Sequence, residues 1–155
     1  MKATGSRPKI VVAGGGRGVV SRAGTRLLAD LADITGLAGG FGDALGPLRQ
    51  RRGGHDPGRV AVDMAVMLAD GGETIADLAV LRNQPGLFGA VASDPTAWRV
   101  LNSIDAEALA GLRSARAAAR EMAWAQRTET SGGCPCRPRP DNRSPRSCWT
   151  WTPRS

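Results

Sequence analysis

The stretch Asp56-Pro57-Gly58-Arg59-Val60-Ala61-Val62-Asp63-Met64-Ala65-Val66-Met67-Leu68-Ala69 decides the fold class. An acid followed by proline is a helix start. The carboxylate can accept from the open N–H groups of the first turn, and proline's fixed φ and missing N–H suit the first helical position. Behind this start, Val60, Val62, Met64, Val66, Met67 and Leu68 leave no broad polar face. A helix over Pro57–Ala69 should therefore be central and buried, and Gly71-Gly72 breaks the chain after it.

The flanking sequence continues the helical pattern. Ser21 can cap a helix over Ala23–Ile34, with Leu27, Leu28, Leu31 and Ile34 facing inward, and Gly36 ends it. Leu37–Leu45 reads as a second helix, weakened by its glycines. Pro47–Gly54 is a connector carrying Arg49, Arg51 and Arg52. Thr74 can cap a shorter helix through Leu81, and Pro85–Val91 reads as a loop anchored by Leu87 and Phe88. Asp94-Pro95 repeats the acid-proline device and starts a helix through Val100 and Leu101. The last helix, expected over Asp105–Arg127, is the longest. Its buried stripe should be Ala108, Leu112, Ala115, Ala119 and Met122, with Arg113, Arg116, Arg120 and Arg127 on a neighbouring stripe. Upstream, Lys9–Ala13, the turn Gly14–Gly16 and Val19-Val20 suggest a small β-hairpin. The expected fold is thus mainly α: an N-terminal segment over 1–20 holding the hairpin, a compact helical domain over 21–127, and a disordered tail over 128–155.

The tail differs in composition from everything before it. It holds all three cysteines (Cys134, Cys136, Cys148), two of the four tryptophans and five of the ten prolines. It has no periodic apolar pattern and is expected not to fold. Its last residues, Ser147-Cys148-Trp149-Thr150-Trp151-Thr152-Pro153-Arg154-Ser155, carry a second message. Tryptophan has the single codon TGG and threonine is ACN, so each Trp-Thr pair is encoded TGGACN. Read from the third base, each pair yields GAC, an aspartate. The shifted stretch spells an apolar strand bearing two aspartates, which points to a frame-shifted product that has lost a catalytic strand. Only Lys2 and Lys9 are lysines among the 21 basic residues. That arginine bias, with abundant Ala and Gly, suggests GC-rich coding DNA, whose shifted frames tend to give Arg, Pro, Ala and Gly.

The net charge is +7. Five arginines of the tail oppose only Glu129 and Asp141, so the body keeps a mild basic excess, compatible with nucleic acid. The body has no cysteine and hence no disulfide framework. Cys134-Pro-Cys136 with Cys148 is too short-spaced for a zinc site, and the one histidine, His55, is remote, so no metal ligands are assigned. No run is long enough to span a membrane and no signal peptide is evident, so the expected location is the cytoplasm, with no membrane partner.

Candidate motifs mostly dissolve on inspection. Ala13-Gly14-Gly15-Gly16-Arg17-Gly18-Val19 lacks the last glycine of the dinucleotide fingerprint and reads as a turn. No cofactor is assigned to the chain. His55 has no Ser or Cys partner and reads as a loop residue before a helix. Pro57–Leu81 has the outline of a helix-turn-helix. Its second helix, with Ile75, Asp77, Leu78, Val80 and Leu81, is a poor base-reading surface, and two packed helices explain the outline better. The stripe of Arg113, Arg116, Arg120 and Arg127 suits phosphate contacts or a solvated face. Arg49, Arg51 and Arg52 form a second candidate phosphate-contact cluster.

Several strings are similar to one family. Gly54-His55-Asp56-Pro57-Gly58-Arg59-Val60, Met67-Leu68-Ala69-Asp70-Gly71-Gly72-Glu73, Asp77-Leu78-Ala79-Val80-Leu81-Arg82 and Ser93-Asp94-Pro95-Thr96-Ala97-Trp98-Arg99-Val100-Leu101 occur in order. Together they resemble the N-terminal region of bacterial insertion-sequence transposases of the DDE class, closest to the group of insertion sequence thirteen-eighty, over roughly Arg17 to Arg127. The resemblance implies a helical region preceding an RNase-H-like core, whose first catalytic aspartate lies on an apolar strand. It implies a divalent metal, magnesium, in that core, and DNA at the element ends as partner. A second copy of the chain or an intact transposase is a further expected partner. No catalytic residue carries over, since the Trp-Thr tail stands where that strand belongs. On this basis Arg49, Arg51, Arg52, Arg59, Arg113, Arg116 and Arg120 are the expected DNA contacts, and the chain is expected to be inactive alone. A helical protein-interaction module without DNA binding is the alternative.

Overall fold

The computed structural model describes residues 7–10, 22–49 and 54–131. Its elements are α1 (Ala23–Ile34), α2 (Leu37–Leu45), a 3-10 turn (Gly46–Leu48), α3 (Pro57–Ala69), a 3-10 turn (Ile75–Leu78), α4 (Ala79–Arg82), α5 (Pro85–Phe88), α6 (Asp94–Asn102) and α7 (Ala106–Ser131). No strand occurs among the described residues, and the expected hairpin lies largely outside them. The tail expected from residue 128 also lies outside, except that α7 continues to Ser131.

α3 is the centre, as its sequence requires. The Asp56 carboxylate accepts from the Arg59 N–H at 3.0 Å, closing the first turn, and Pro57 opens the helix. Val60, Val62, Met64, Val66 and Met67 are buried with Leu78, Leu81, Phe88 and Ala97 in one cluster. Each such aliphatic or aromatic side chain contributes roughly 1.5–3 kcal/mol on full burial. Leu68 is the exception and lies exposed.

Three glycines, Gly40 of α2, Gly58 of α3 and Gly111 of α7, set the close packing around α2. A Cβ on Gly58 of α3 would sit 2.5 Å from the Gly42 backbone, and one on Gly40 would sit 2.7 Å from the Ala115 Cβ of α7. Gly111 of α7 stands in the same relation to Ala44, at 2.9 Å. α2 therefore lies between α3 and α7 at distances only small residues permit. Gly36, at φ 75°, supplies the left-handed step between α1 and α2 that an L side chain resists.

α1 has the expected bounds, and Leu28 packs against the core as expected, but the other three residues of the expected face point outward. Leu27, Leu31 and Ile34 are exposed, while Thr25, Arg26, Ala29 and Ala32 are buried. The physical cause is a set of fixed polar ties. Arg26 donates to the Asp30 carboxylate, to the Pro8 carbonyl and to the Leu87 carbonyl. Arg7 donates to the Ala29 carbonyl and to both Asp33 oxygens. Buried donors must be satisfied, and these ties turn the polar side of α1 inward.

Smaller departures follow the same logic. Thr74 and Asp77 form a capping box, but the first turn they open is 3-10 before α4 begins. Leu78 and Leu81 sink into the core. The helix-turn-helix outline is thus two packed elements, as expected. Pro85–Phe88 forms one helical turn instead of a loop, with Phe88 wholly buried. Ser93, not Asp94, is the N-cap of α6, because the Asp94 carboxylate instead takes the Arg82 guanidinium at 2.9 Å. On α7, Ala108 and Ala119 are buried and Leu112 and Ala115 half-buried, but Met122 is exposed.

Candidate nucleic-acid interface

Three of the expected DNA contacts, Arg113, Arg116 and Arg120, share α7 with Arg127, the fourth member of the stripe. Helical residues advance by about 100° each, so Arg113, Arg116, Arg120 and Arg127 fall within an arc of about 60°. Arg113, Arg116 and Arg127 are exposed and Arg120 is half-buried. The Arg120 guanidinium lies 5.6 Å from the centroid of the Trp124 ring, a cation–π distance that restrains its head group. Arg116 and Arg120 also border an apolar groove between α1, α3 and α7, whose walls include Leu28, Leu31, Val62, Ala69 and Ala119. The stripe is therefore basic along one edge of an apolar channel.

Arg59 does not join this face. Its side chain is 11% exposed. Its Nε donates to Asp63 at 2.9 Å and its terminal nitrogen to the Phe88 carbonyl at 2.7 Å. Its expected role as a phosphate contact gives way to one inside the fold, because Nε and one terminal nitrogen are tied to the carboxylate and the carbonyl and little of the side chain reaches the surface. Asp63 also accepts from Arg7 at 3.1 Å. Burial raises the Asp63 carboxyl above its ordinary range, outweighing the pull of Arg59 and Arg7. Burial likewise lowers the Arg59 guanidinium from its usual value, against the attraction of Asp63. Both shifts say that taking these charges out of water costs more than the pair recovers.

The connector cluster is only partly visible. Arg49 is exposed at the end of the Gly46–Leu48 turn and lies 3.7 Å from Asp56. Arg51 and Arg52 lie outside the described residues. Next to Arg49 the structure assembles what sequence reading missed. Thr96 and Arg99 of α6 and its C-cap Ser103 meet Arg49 and His55 around a cavity of about 230 Å³. The available signal was the spacing of Thr96, Arg99 and Ser103, which puts three polar residues on one helical face.

Most of the described aspartates are committed elsewhere. Asp30 pairs with Arg26, Asp33 and Asp63 with Arg7, Asp70 with Arg22, and Asp94 with Arg82. Asp56, Asp77 and Asp105 accept from backbone N–H groups at helix starts. No group of three or more His, Cys, Asp or Glu among the described residues could hold a metal ion. The acidic cage that two-metal phosphoryl chemistry needs does not fit these residues. No helix among the described residues is long and apolar enough to cross a membrane.

A mainly helical body with a basic stripe on its longest helix is compatible with a nucleic-acid-handling protein. The family model described as "Transposase DDE domain group 1" matches residues 2–131. The chain belongs to this transposase family. Comparison with curated proteins and with solved structures gave no match.

Proposed function

We propose that this polypeptide is the DNA-contacting helical region of a DDE transposase of the insertion sequence thirteen-eighty group, and that it performs no strand transfer by itself. Its DNA would be the ends of the mobile element. The observation that carries the reading is the alignment of Arg113, Arg116, Arg120 and Arg127 on one face of α7, in a chain of transposase family. Arginines on one helical face can meet successive phosphates, and each contact releases counterions. The family match stops at residue 131, close to where the composition changes and well before the Trp-Thr pairs. Together with the aspartates spelled by the shifted frame, this supports a frame-shifted gene. Cytoplasmic location and competition with intact transposase for element ends or for dimerisation belong to the same proposal.

The test is binding of the purified chain to duplexes carrying the element ends, measured across a salt series. Wild-type affinity should fall as salt rises, and Arg113→Ala and Arg116→Ala should each reduce the salt slope by about 1. Absent or salt-insensitive binding would favour the second reading, a helical module that binds protein. That reading has its own support in the apolar groove beside the exposed Leu27, Leu31 and Ile34.

A further inference from the structure

We infer that the cavity between α6, the start of α3 and the connector is a phosphate-binding pocket, built by Arg49, His55, Thr96, Arg99 and Ser103, that seats one backbone phosphate of the bound DNA. The inference rests on the DNA-binding reading but concerns a different part of the surface from the α7 stripe.

The cavity measures about 230 Å³, enough for a phosphate with some of its water. Two guanidiniums and an imidazole line it, together with two hydroxyl-bearing side chains. All five can donate hydrogen bonds, and a phosphodiester oxygen is an acceptor only. Asp56 stands beside the site: one oxygen accepts from the Arg59 N–H and the other lies 3.7 Å from Arg49. The lining itself carries two guanidiniums and no carboxylate.

Arg99 is held in place before any ligand arrives. Its Nε donates to the Pro95 carbonyl at 3.1 Å and one terminal nitrogen to the Thr96 hydroxyl at 3.1 Å. A guanidinium fixed on its own helix loses less freedom on binding than a free surface arginine, which favours affinity. Ser103 spends its one O–H on the Val100 carbonyl at 2.8 Å and donates to a phosphate only by turning away from that carbonyl. His55 is half-buried, and no hydrogen bond of its side chain occurs among the described residues. A half-buried imidazole beside two arginines is suited to donate to an anion. The cavity mixes these polar groups with Leu48, Pro57 and Val100, whereas the groove at α7 is almost wholly apolar, so of the two an anion is better matched here.

The experiment uses the full chain with two probes, a short duplex carrying an element end and inorganic phosphate alone. The variants are Arg99→Gln and His55→Gln, with Arg113→Ala as the comparison. Both pocket variants should melt within a few degrees of wild type, since neither side chain is buried in the core. Arg99→Gln should weaken duplex binding roughly tenfold at low salt, the usual scale for a hydrogen bond to a charged group. It should also reduce the salt slope by about 1. His55→Gln should weaken binding by less, and inorganic phosphate should shift the NMR resonances of the His55 and Arg99 side chains. If Arg99→Gln binds the duplex with unchanged affinity and slope while Arg113→Ala weakens it, the pocket is refuted and the α7 reading stands. If wild type binds no duplex, the DNA reading fails. Phosphate-induced shifts at His55 and Arg99 would then still support an anion pocket, and their absence would overturn it.

Discussion

Replacing Gly58 with alanine tests the closest helix contact in the fold. Taken alone, Gly→Ala inside a helix gains about 1 kcal/mol of propensity. At Gly58 the new Cβ would lie 2.5 Å from both the Cα and the N of Gly42, and 2.6 Å from the Phe41 carbonyl carbon. Comfortable carbon contacts are about 3.5–4.0 Å, so α2 and α3 must separate by roughly 1 Å. All three blocking atoms are backbone, and no rotamer change can clear them. Moving α2 would also disturb its contact with α7, where Gly40 already stands against Ala115. Overpacking of this kind costs roughly 1–3 kcal/mol, and at a backbone–backbone contact the upper end applies. After the propensity gain, the net loss should be about 1–2 kcal/mol, a fall in Tm of roughly 4–16 °C for a domain of this size. Gly39, one residue from Gly40 on the same α2, has nothing within 4 Å of the position a Cβ would take. Gly39→Ala should therefore raise stability by up to about 1 kcal/mol. Urea unfolding followed by circular dichroism measures both. A Gly58→Ala protein as stable as wild type, or a Gly39→Ala protein destabilised equally, would refute the close-packing account.

Asp63→Ala leaves Arg7 and Arg59 without the carboxylate they share, and the Arg7 side chain is only 2% exposed. It should destabilise by about 3–5 kcal/mol, and denaturant titration showing less than about 1 kcal/mol would contradict a buried ionic hub. Asp77 lies below its ordinary carboxyl range because the Thr74 and Glu73 N–H groups and the Thr74 hydroxyl donate to it. Its folded pKa is depressed, so its contribution is complete above the unfolded value near 3.8 and is lost as pH falls through the lower folded value. The stability gap between wild type and Asp77→Asn should therefore be wider near neutral pH than in strong acid, and thermal melts showing a gap that grows on acidification would reverse the assignment. Leu27→Ser with Leu31→Ser alters two exposed side chains of α1. Stability should change by no more than about 1 kcal/mol in total. A cavity-sized loss in a thermal melt would mean that α1 faces the core as its leucines suggested.

The helices were readable from local signals. Asp56-Pro57 marked the start of α3, and the bounds of α1, α2 and α3 agree with the structure because caps, glycines and apolar density act within a few residues. The transposase family, too, was legible in strings such as Met67-Leu68-Ala69-Asp70-Gly71-Gly72-Glu73, and the match over residues 2–131 agrees. Orientation was not readable. Leucine periodicity turned α1 the wrong way because Arg7, 22 residues before Ala29, and the Leu87 carbonyl, far downstream, fix its polar side inward. Arg59 looked like a surface cation because its partners, Asp63 and Phe88, come from the core side of the fold.

The sequence by itself determined where α1, α2 and α3 begin and end, and the family, since each of these is written in adjacent residues. Tertiary structure alone decided which arginines are structural and which are exposed, why Gly40 and Gly58 must be glycine, and that Arg49, His55 and Arg99 share one cavity. Those outcomes depend on distances between residues remote in the chain, where a buried donor takes whichever acceptor the packing brings to it.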